Sequence, residues 1–207
     1  MKRIWNGLLT GIAVFILSVA FVFNLNAQPP IKAGKGEGSG GKKASSGDFR
    51  FNPQNLVVSE FKGGWAVMDS TNSNRAIAAF QQSRKSDAEK ALKIMQHYGM
   101  NEKYFVGTSG LVFFLASGKA PEDPSPFPGE KCQGFDPKNV TVEERTITSK
   151  KNPNEVAGTY WALMDGKKQL WGFGNDKAVA SMAKQVFIKQ YGFTNRCNVG
   201  GFTYWRR

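Results

Sequence analysis

The stretch AEKALKIMQHYGMNEKYFVG at 88–107 returns, altered but legible, as SMAKQVFIKQYGFTNRCNVG at 181–200. A chain that repeats itself in this way is expected to fold as two related units, so the repeat limits the architecture before any other property is weighed. Upstream, Phe51-Asn-Pro-Gln-Asn is answered by Phe135-Asp-Pro-Lys-Asn, and Trp65-Ala-Val-Met-Asp69 by Trp161-Ala-Leu-Met-Asp165. The repeat sets units at 51–115 and 135–207, each small enough that a hydrophobic core alone is marginal.

Within each unit the pattern reads β-β-β-α-β-β. In the first, Leu56-Val-Val, Trp65-Ala-Val-Met-Asp69 and Ile77-Ala-Ala-Phe80 are β-branched or apolar runs separated by Gly63-Gly64 and by the short polar residues 70–74, which favour turns. Ser86 followed by Glu89 forms a capping box, and Ala88, Ala91, Leu92, Met95 and Tyr98 recur on one helical stripe that ends at Gly99. Segments 104–107 and 111–115 give two further strands. The second unit repeats this order, with Val140-Thr-Val142 as its first strand, Asn175 or Asp176 as helix cap, and Val179, Met182, Ala183, Val186 and Tyr191 toward the core. Residues 143–158 have no counterpart in the first unit and read as an inserted loop carrying Lys150, Lys151 and Pro153. The fold class is α+β, each unit a mostly antiparallel sheet with one helix on one face. In 111–115, Leu111, Phe113 and Leu115 point one way and Val112 and Phe114 the other, so both faces need cover. Pseudo-twofold packing of one unit on the other provides it most economically; a ligand or partner is the competing answer.

Both cysteines belong with the second copy, Cys132 just ahead of its first turn and Cys197 near the end of its helix-to-strand loop, and the matching positions for the first copy are Asp48 and Tyr104. Joint presence in one copy and joint absence from the other is the mark of a disulfide, and an exported chain permits one. Export is read from the N-terminus: Lys2 and Arg3 precede the apolar run 8–23, and Asn24-Leu-Asn-Ala27 offers a cleavage point, making 1–27 a signal peptide. The alternative is an uncleaved membrane anchor, since the run approaches spanning length. The protein is thus expected to be secreted or periplasmic. Residues 28–50 are Gly, Lys and Ser rich and read as a disordered tether. Residues 116–134, with Pro121, Pro124, Pro126 and Pro128, read as a Pro-rich linker between the units.

The chain carries 28 Lys and Arg against 16 Asp and Glu, a net charge of +12. Twelve of the basic residues, against six acids, lie in the second unit. Lys150, Lys151, Lys167, Lys168, Arg206 and Arg207 fall on its expected loops, turns and terminus, and with Trp205 they form the candidate ligand-binding set. Cations steer anionic polymers and an exposed indole stacks on sugar rings. Nucleic acid is a poor expectation for an exported protein, and a membrane is reached only through an uncleaved N-terminus. His97 is the only histidine, and its counterpart is Gln190, so no repeated triad can be built on it. No metal-ligand spacing and no cofactor loop occurs. Asp69 and Asp165 recur ahead of turns, where a carboxylate usually bonds to local amides; a paired-carboxylate site is the competing reading.

The sequence of helix, Tyr-Gly-Phe, Cys-Asn-Val-Gly and a terminal Tyr-Trp strand resembles small tandem α+β modules of secreted bacterial proteins of unassigned function. The resemblance spans both units, implies no catalytic residue, and is nearer in the second unit, since the first lacks both cysteines. The expectation is an exported, non-enzymatic protein that binds an anionic polysaccharide or another cell-envelope or matrix component. The alternative is a hydrolase or hydrolase inhibitor working through a cleft between the units.

Overall fold

The computed structural model describes residues 49–107, 111–122, 124–149, 152 and 154–207. The expected signal peptide and nearly all of the tether lie outside these residues, as do Lys150 and Lys151. Among the described residues no helix is long and apolar enough to cross a membrane.

The elements run β1 (Phe49–Arg50), β2 (Leu56–Phe61), β3 (Gly64–Asp69), β4 (Asn72–Phe80), α1 (Lys85–His97), β5 (Glu102–Val106) and β6 (Leu111–Leu115). There follow β7 (Lys131–Gly134), β8 (Val140–Thr148), β9 (Val156–Asp165), β10 (Lys168–Gly172), α2 (Lys177–Gln185), β11 (Asn195–Val199) and β12 (Phe202–Arg206). The class is α+β with antiparallel pairing throughout, as the alternation of the strands predicts. The strands of each half do not form one sheet. They divide into β2-β3-β4 and β1-β5-β6 in the first half, and β8-β9-β10 and β7-β11-β12 in the second.

Three local expectations are corrected. The end of the supposed linker, 131–134, is the strand β7, because β11 has an open edge whose amides and carbonyls need partners. The end of the tether pairs with β5 in the same way, as β1. The inserted segment is largely strand: β8 and β9 stay in register from Val140↔Asp165 to Ile147↔Gly158 and pair on to Thr148↔Val156 after a register shift, so the insertion lengthens a hairpin. Glu143, Arg145 and, opposite Arg145, Tyr160 share one face of this two-stranded ribbon.

Both helices form where their apolar stripes fall, with different starts. A 3-10 turn, Gln82–Arg84, leads into α1, which begins at Lys85; Ser86 lies inside the helix, and Arg84 occupies the cap without a side-chain bond to the backbone. The Arg84 Nε reaches Asp87 Oδ2 at 2.7 Å instead. Asp176 caps α2 as expected, its Oδ1 accepting from the Val179 amide at 2.9 Å. α2 continues into a π-helical turn, Val186–Tyr191. Met182, expected in the core, is exposed, and Ala180 and Phe187 are buried.

Each helix lies between its own half's outer sheet and the other half's final hairpin. Ala88, Ala91, Ile94 and Met95 of α1 pack with Val67 and Ile77 of β3 and β4, and with Val199, Phe202 and Tyr204 of β11 and β12. Ala180, Ala183, Val186 and Phe187 pack with Leu163 and Leu170, and with Val106, Leu111 and Phe113 of β5 and β6. The strand with two apolar faces is thereby satisfied: Leu111, Phe113 and Leu115 enter the α2 core and Phe114 the α1 core. The hairpin turns press on the helix N-termini. Gly107 has φ +73, and a Cβ there would stand 2.5 Å from a Val179 methyl; at Gly200, φ +57, a Cβ would overlap the Asp87 carboxylate. Only glycine meets both the left-handed backbone and the close approach.

Candidate functional site

Cys132 and Cys197 are joined, with an S–S distance of 2.03 Å, and stand directly opposite each other in the β7-β11 register. The pairing read from the sequence is the pairing in the structure. Cys197 is buried and Cys132 exposed. Glu130 lies beside them, a carboxylate oxygen and both sulfurs falling within 4.8 Å of one another. Sulfurs bonded to each other offer no thiolate to a metal, so this trio is structural as it stands.

Glu130 is the centre of a buried polar group that the sequence did not suggest. Its side chain is 5% exposed, and its Oε1 accepts from Arg206 Nη2 at 2.7 Å. Its Oε2 accepts from the Tyr98 hydroxyl at 2.8 Å and also from the Tyr204 hydroxyl. Burial alone raises the carboxyl, but the bonds from Tyr204, Tyr98 and Arg206, with the Arg206 charge, outweigh it and hold Glu130 below its ordinary range. Burial and the bond to Glu130 push the Tyr204 phenol far up, and Tyr98 up as well. Both phenols therefore stay protonated near neutral pH and keep their hydrogen bonds to Glu130. The arrangement cross-links the helix end, the connection and the last strand.

Several expected site residues change role. Trp205 is 1% exposed and packs against Phe135, Phe187 and Trp171, so it is core and presents no face to a ligand. A terminal position in the sequence said nothing of this, because the cover comes from residues distant in the chain, Phe187 of the π-helical turn, Phe135 and Trp171. Arg206 is committed to Glu130. Lys167 and Lys168 are exposed at the β9–β10 turn, and Arg207 is exposed with its amide bonded to the Pro121 carbonyl at 2.9 Å. Asp69 accepts from the Thr71 amide and hydroxyl at 3.0 and 2.7 Å, which is turn-making. Asp69 ends β3 and Asp165 ends β9, in different sheets. His97 Nε2 lies 2.8 Å from the Ser125 carbonyl oxygen, and its ring meets Tyr98 and Phe127 edge-on.

Two desolvated cations occupy matching places on β5 and β11. Lys103 is 4% exposed, donates to the Ile77 carbonyl at 2.6 Å, and burial brings its amine down to about 7. Arg196 is half-buried, its guanidinium 5.6 Å from the Trp171 ring centre, and burial lowers it as well. No acceptor lies on its buried Nε among the described residues. Register places Gln133 and Trp205 on either side of it, and Lys131, Asn198 and Thr203 in the next row of the same face. The open part of that face is a strip of donors, Lys131, Gln133, Arg196 and Asn198, beside a half-buried indole, Trp171. Composition had pointed to cations on loops; Arg196 was hidden because a strand position gives no hint that its side chain lacks a partner.

A cleft of 450 Å³ opens between the segment after β6, the π-helical turn and the chain's last residue, with Lys119, Glu122, Gln190, Tyr191 and Arg207 on its walls. Neither Asp69 nor Asp165 lines it. No family model, no curated protein and no solved structure matches this chain.

Proposed function

We propose that this is an exported, non-enzymatic protein that binds an anionic carbohydrate of a cell surface or matrix. The observation that carries the reading is the Arg196–Trp171 pair. A half-buried guanidinium with an unpartnered Nε has already lost much of its hydration, so an incoming carboxylate or sulfate meets a donor at reduced desolvation cost. The adjacent indole offers a platform for a sugar ring, and Lys131, Gln133 and Asn198 add donors along the strip. Exposed Lys167 and Lys168 supply longer-range attraction. The disulfide supports an oxidising compartment. A tandem duplication with approximate twofold symmetry is part of the same reading; the recurring order of elements and pairings supports it, as does the exchange of hairpins between the two cores.

The test is calorimetric titration of the full chain with a sulfated and a carboxylated polysaccharide at low salt, with neutral dextran as control. Arg196→Gln, which removes one charge-assisted contact, and Trp171→Ala, which removes the stacking platform, are each expected to weaken binding about tenfold. Polyanion binding that ignores both substitutions assigns attraction to diffuse charge and removes this site. Absence of binding to either polymer removes the reading.

A further inference from the structure

β8 is an edge strand, and the hydrogen bonds around it fix which of its backbone groups are spent. On the far side of β9 the Trp161 amide donates to the Gly174 carbonyl at 2.7 Å, and the Trp161 carbonyl accepts from the Phe173 amide at 2.8 Å, so Trp161 turns both groups away from β8. Backbone groups alternate sides along a strand, so Tyr160 and Ala162 point theirs at β8, where they stand opposite Arg145 and Glu143. Val142, Glu144 and Thr146 therefore direct amide and carbonyl outward, away from β9. Among the described residues β8 ends its sheet and pairs with β9 alone. An outward row of this kind is a template for one more strand.

The side chains decide which strand fits. Glu143 and Arg145 lie on one face and are half-exposed, with Arg145 Nη1 3.6 Å from Glu143 Oε2, and the Thr141 hydroxyl donates to Glu143 Oε1 at 2.7 Å. Laid antiparallel against a second β8 about an axis at Glu144, the strand sets Glu143 opposite Arg145 of the second copy and Arg145 opposite its Glu143. These are the pairs in which the backbones do not bond to each other, where facing side chains come nearest. Glu144 meets its own copy and Val142 meets Thr146, in pairs that use the outward amides and carbonyls. An axis at Glu143 or at Arg145 keeps the backbone bonds but sets like charges face to face, and no axis other than Glu144 sets opposite charges there. The like-charge pair that remains, Glu144 on Glu144, lies on the opposite face beside Trp161, whose ring carries the Lys177 amine at 4.4 Å.

We propose that β8 pairs with β8 of a second copy, antiparallel about Glu144, so that two chains share one continuous sheet in the order β10-β9-β8-β8-β9-β10. The interface is isologous and closes as a dimer, since each β8 edge is used by the other. The edge strand of the first half lacks these features: β2 has six residues against the nine of β8, and Glu60 is its only charge. None of the residues of the Arg196 strip lies on β8, so this inference stands or falls apart from the carbohydrate reading.

The experiment is sedimentation equilibrium of the full chain, disulfide intact, at low salt. The expected result is a reversible monomer–dimer equilibrium. Glu143→Arg and Arg145→Glu each raise the dimer dissociation constant about tenfold, because each turns two attractive pairs into two repulsive ones. An equimolar mixture of the two variants restores association, since every facing pair across the mixed dimer is again of opposite charge, and the double variant Glu143→Arg/Arg145→Glu restores it too. Glu144→Gln removes the like-charge pair on the axis and tightens the dimer about threefold. Three results overturn the proposal: a chain that stays monomeric up to about 100 μM, association that neither single reversal weakens, which places the contact elsewhere, or single variants that neither the mixture nor the double variant rescues.

Discussion

Replacing Glu130 by Gln keeps the shape of the side chain and removes its charge. The carboxylate is 5% exposed and accepts from three donors, while Arg206, 14% exposed, has this one ion-pair partner among the described residues and a buried Nε already unsatisfied. An amide presents one acceptor where the carboxylate presented two, and its NH₂ turns toward groups that are themselves donors. Removing one member of a buried, hydrogen-bonded charge pair costs about 3–5 kcal/mol, against about 0–1 kcal/mol for a surface pair. For a chain of this size that is a fall in Tm of roughly 6–20 °C. Calorimetry at pH 7 gives the number, and Glu130→Gln with Arg206→Met gives the coupling: the double variant should lose at least about 1.5 kcal/mol less than the two singles summed. The pH dependence carries a second signature. The folded pKa of Glu130 is lowered, so its stabilisation is full above the ordinary carboxyl pKa of about 4.3 and is lost as pH falls through the lower folded value. Glu130→Gln should flatten that acid limb. A loss under 1 kcal/mol, additive with Arg206→Met and unchanged in its acid limb, would refute a buried network.

Reducing the disulfide, or replacing Cys132 and Cys197 together by Ala, reopens a connection 65 residues long and should cost about 4 kcal/mol in the chain-entropy model, read as a drop in the urea midpoint. Gly107→Ala combines a left-handed backbone with a methyl driven into Val179 and should cost about 2–4 kcal/mol; a neutral outcome in thermal melts would mean that the hairpin turn does not press on α2. The Lys103 amine titrates near 7 when folded and about 10.4 when unfolded, so protons bind the unfolded chain more strongly across that interval and stability should climb as pH rises from 7 toward 10. Lys103→Met should remove the climb, measured as the slope of unfolding free energy against pH.

Much of the molecule was legible in its letters. The helical stripes, most strands and the disulfide follow from periodicity, from turn residues, and from cysteines present beside one of two similar stretches of sequence and absent beside the other. Those signals are local, or compare one stretch of sequence with another. The errors share a cause as well. Residues 143–158 look like a loop because they are polar, yet a two-stranded ribbon exposed on both faces is polar too, and its register comes from the hairpin it extends. Trp205 looks free because it is nearly the last residue, but its cover comes from Phe135, Trp171 and Phe187, all distant in the chain. Glu130 sits in a proline-rich stretch that reads as spacer, and it becomes a buried anion only because Tyr98, Tyr204 and Arg206 converge on it. The sequence alone determined which faces are apolar, including the two-sided strand at 111–115. Which helix covers each face was decided by tertiary structure, because burial is non-directional: an apolar stripe states that it must be covered and carries no address for the element that covers it. The exchange of hairpins between the two cores belongs to that second kind of information.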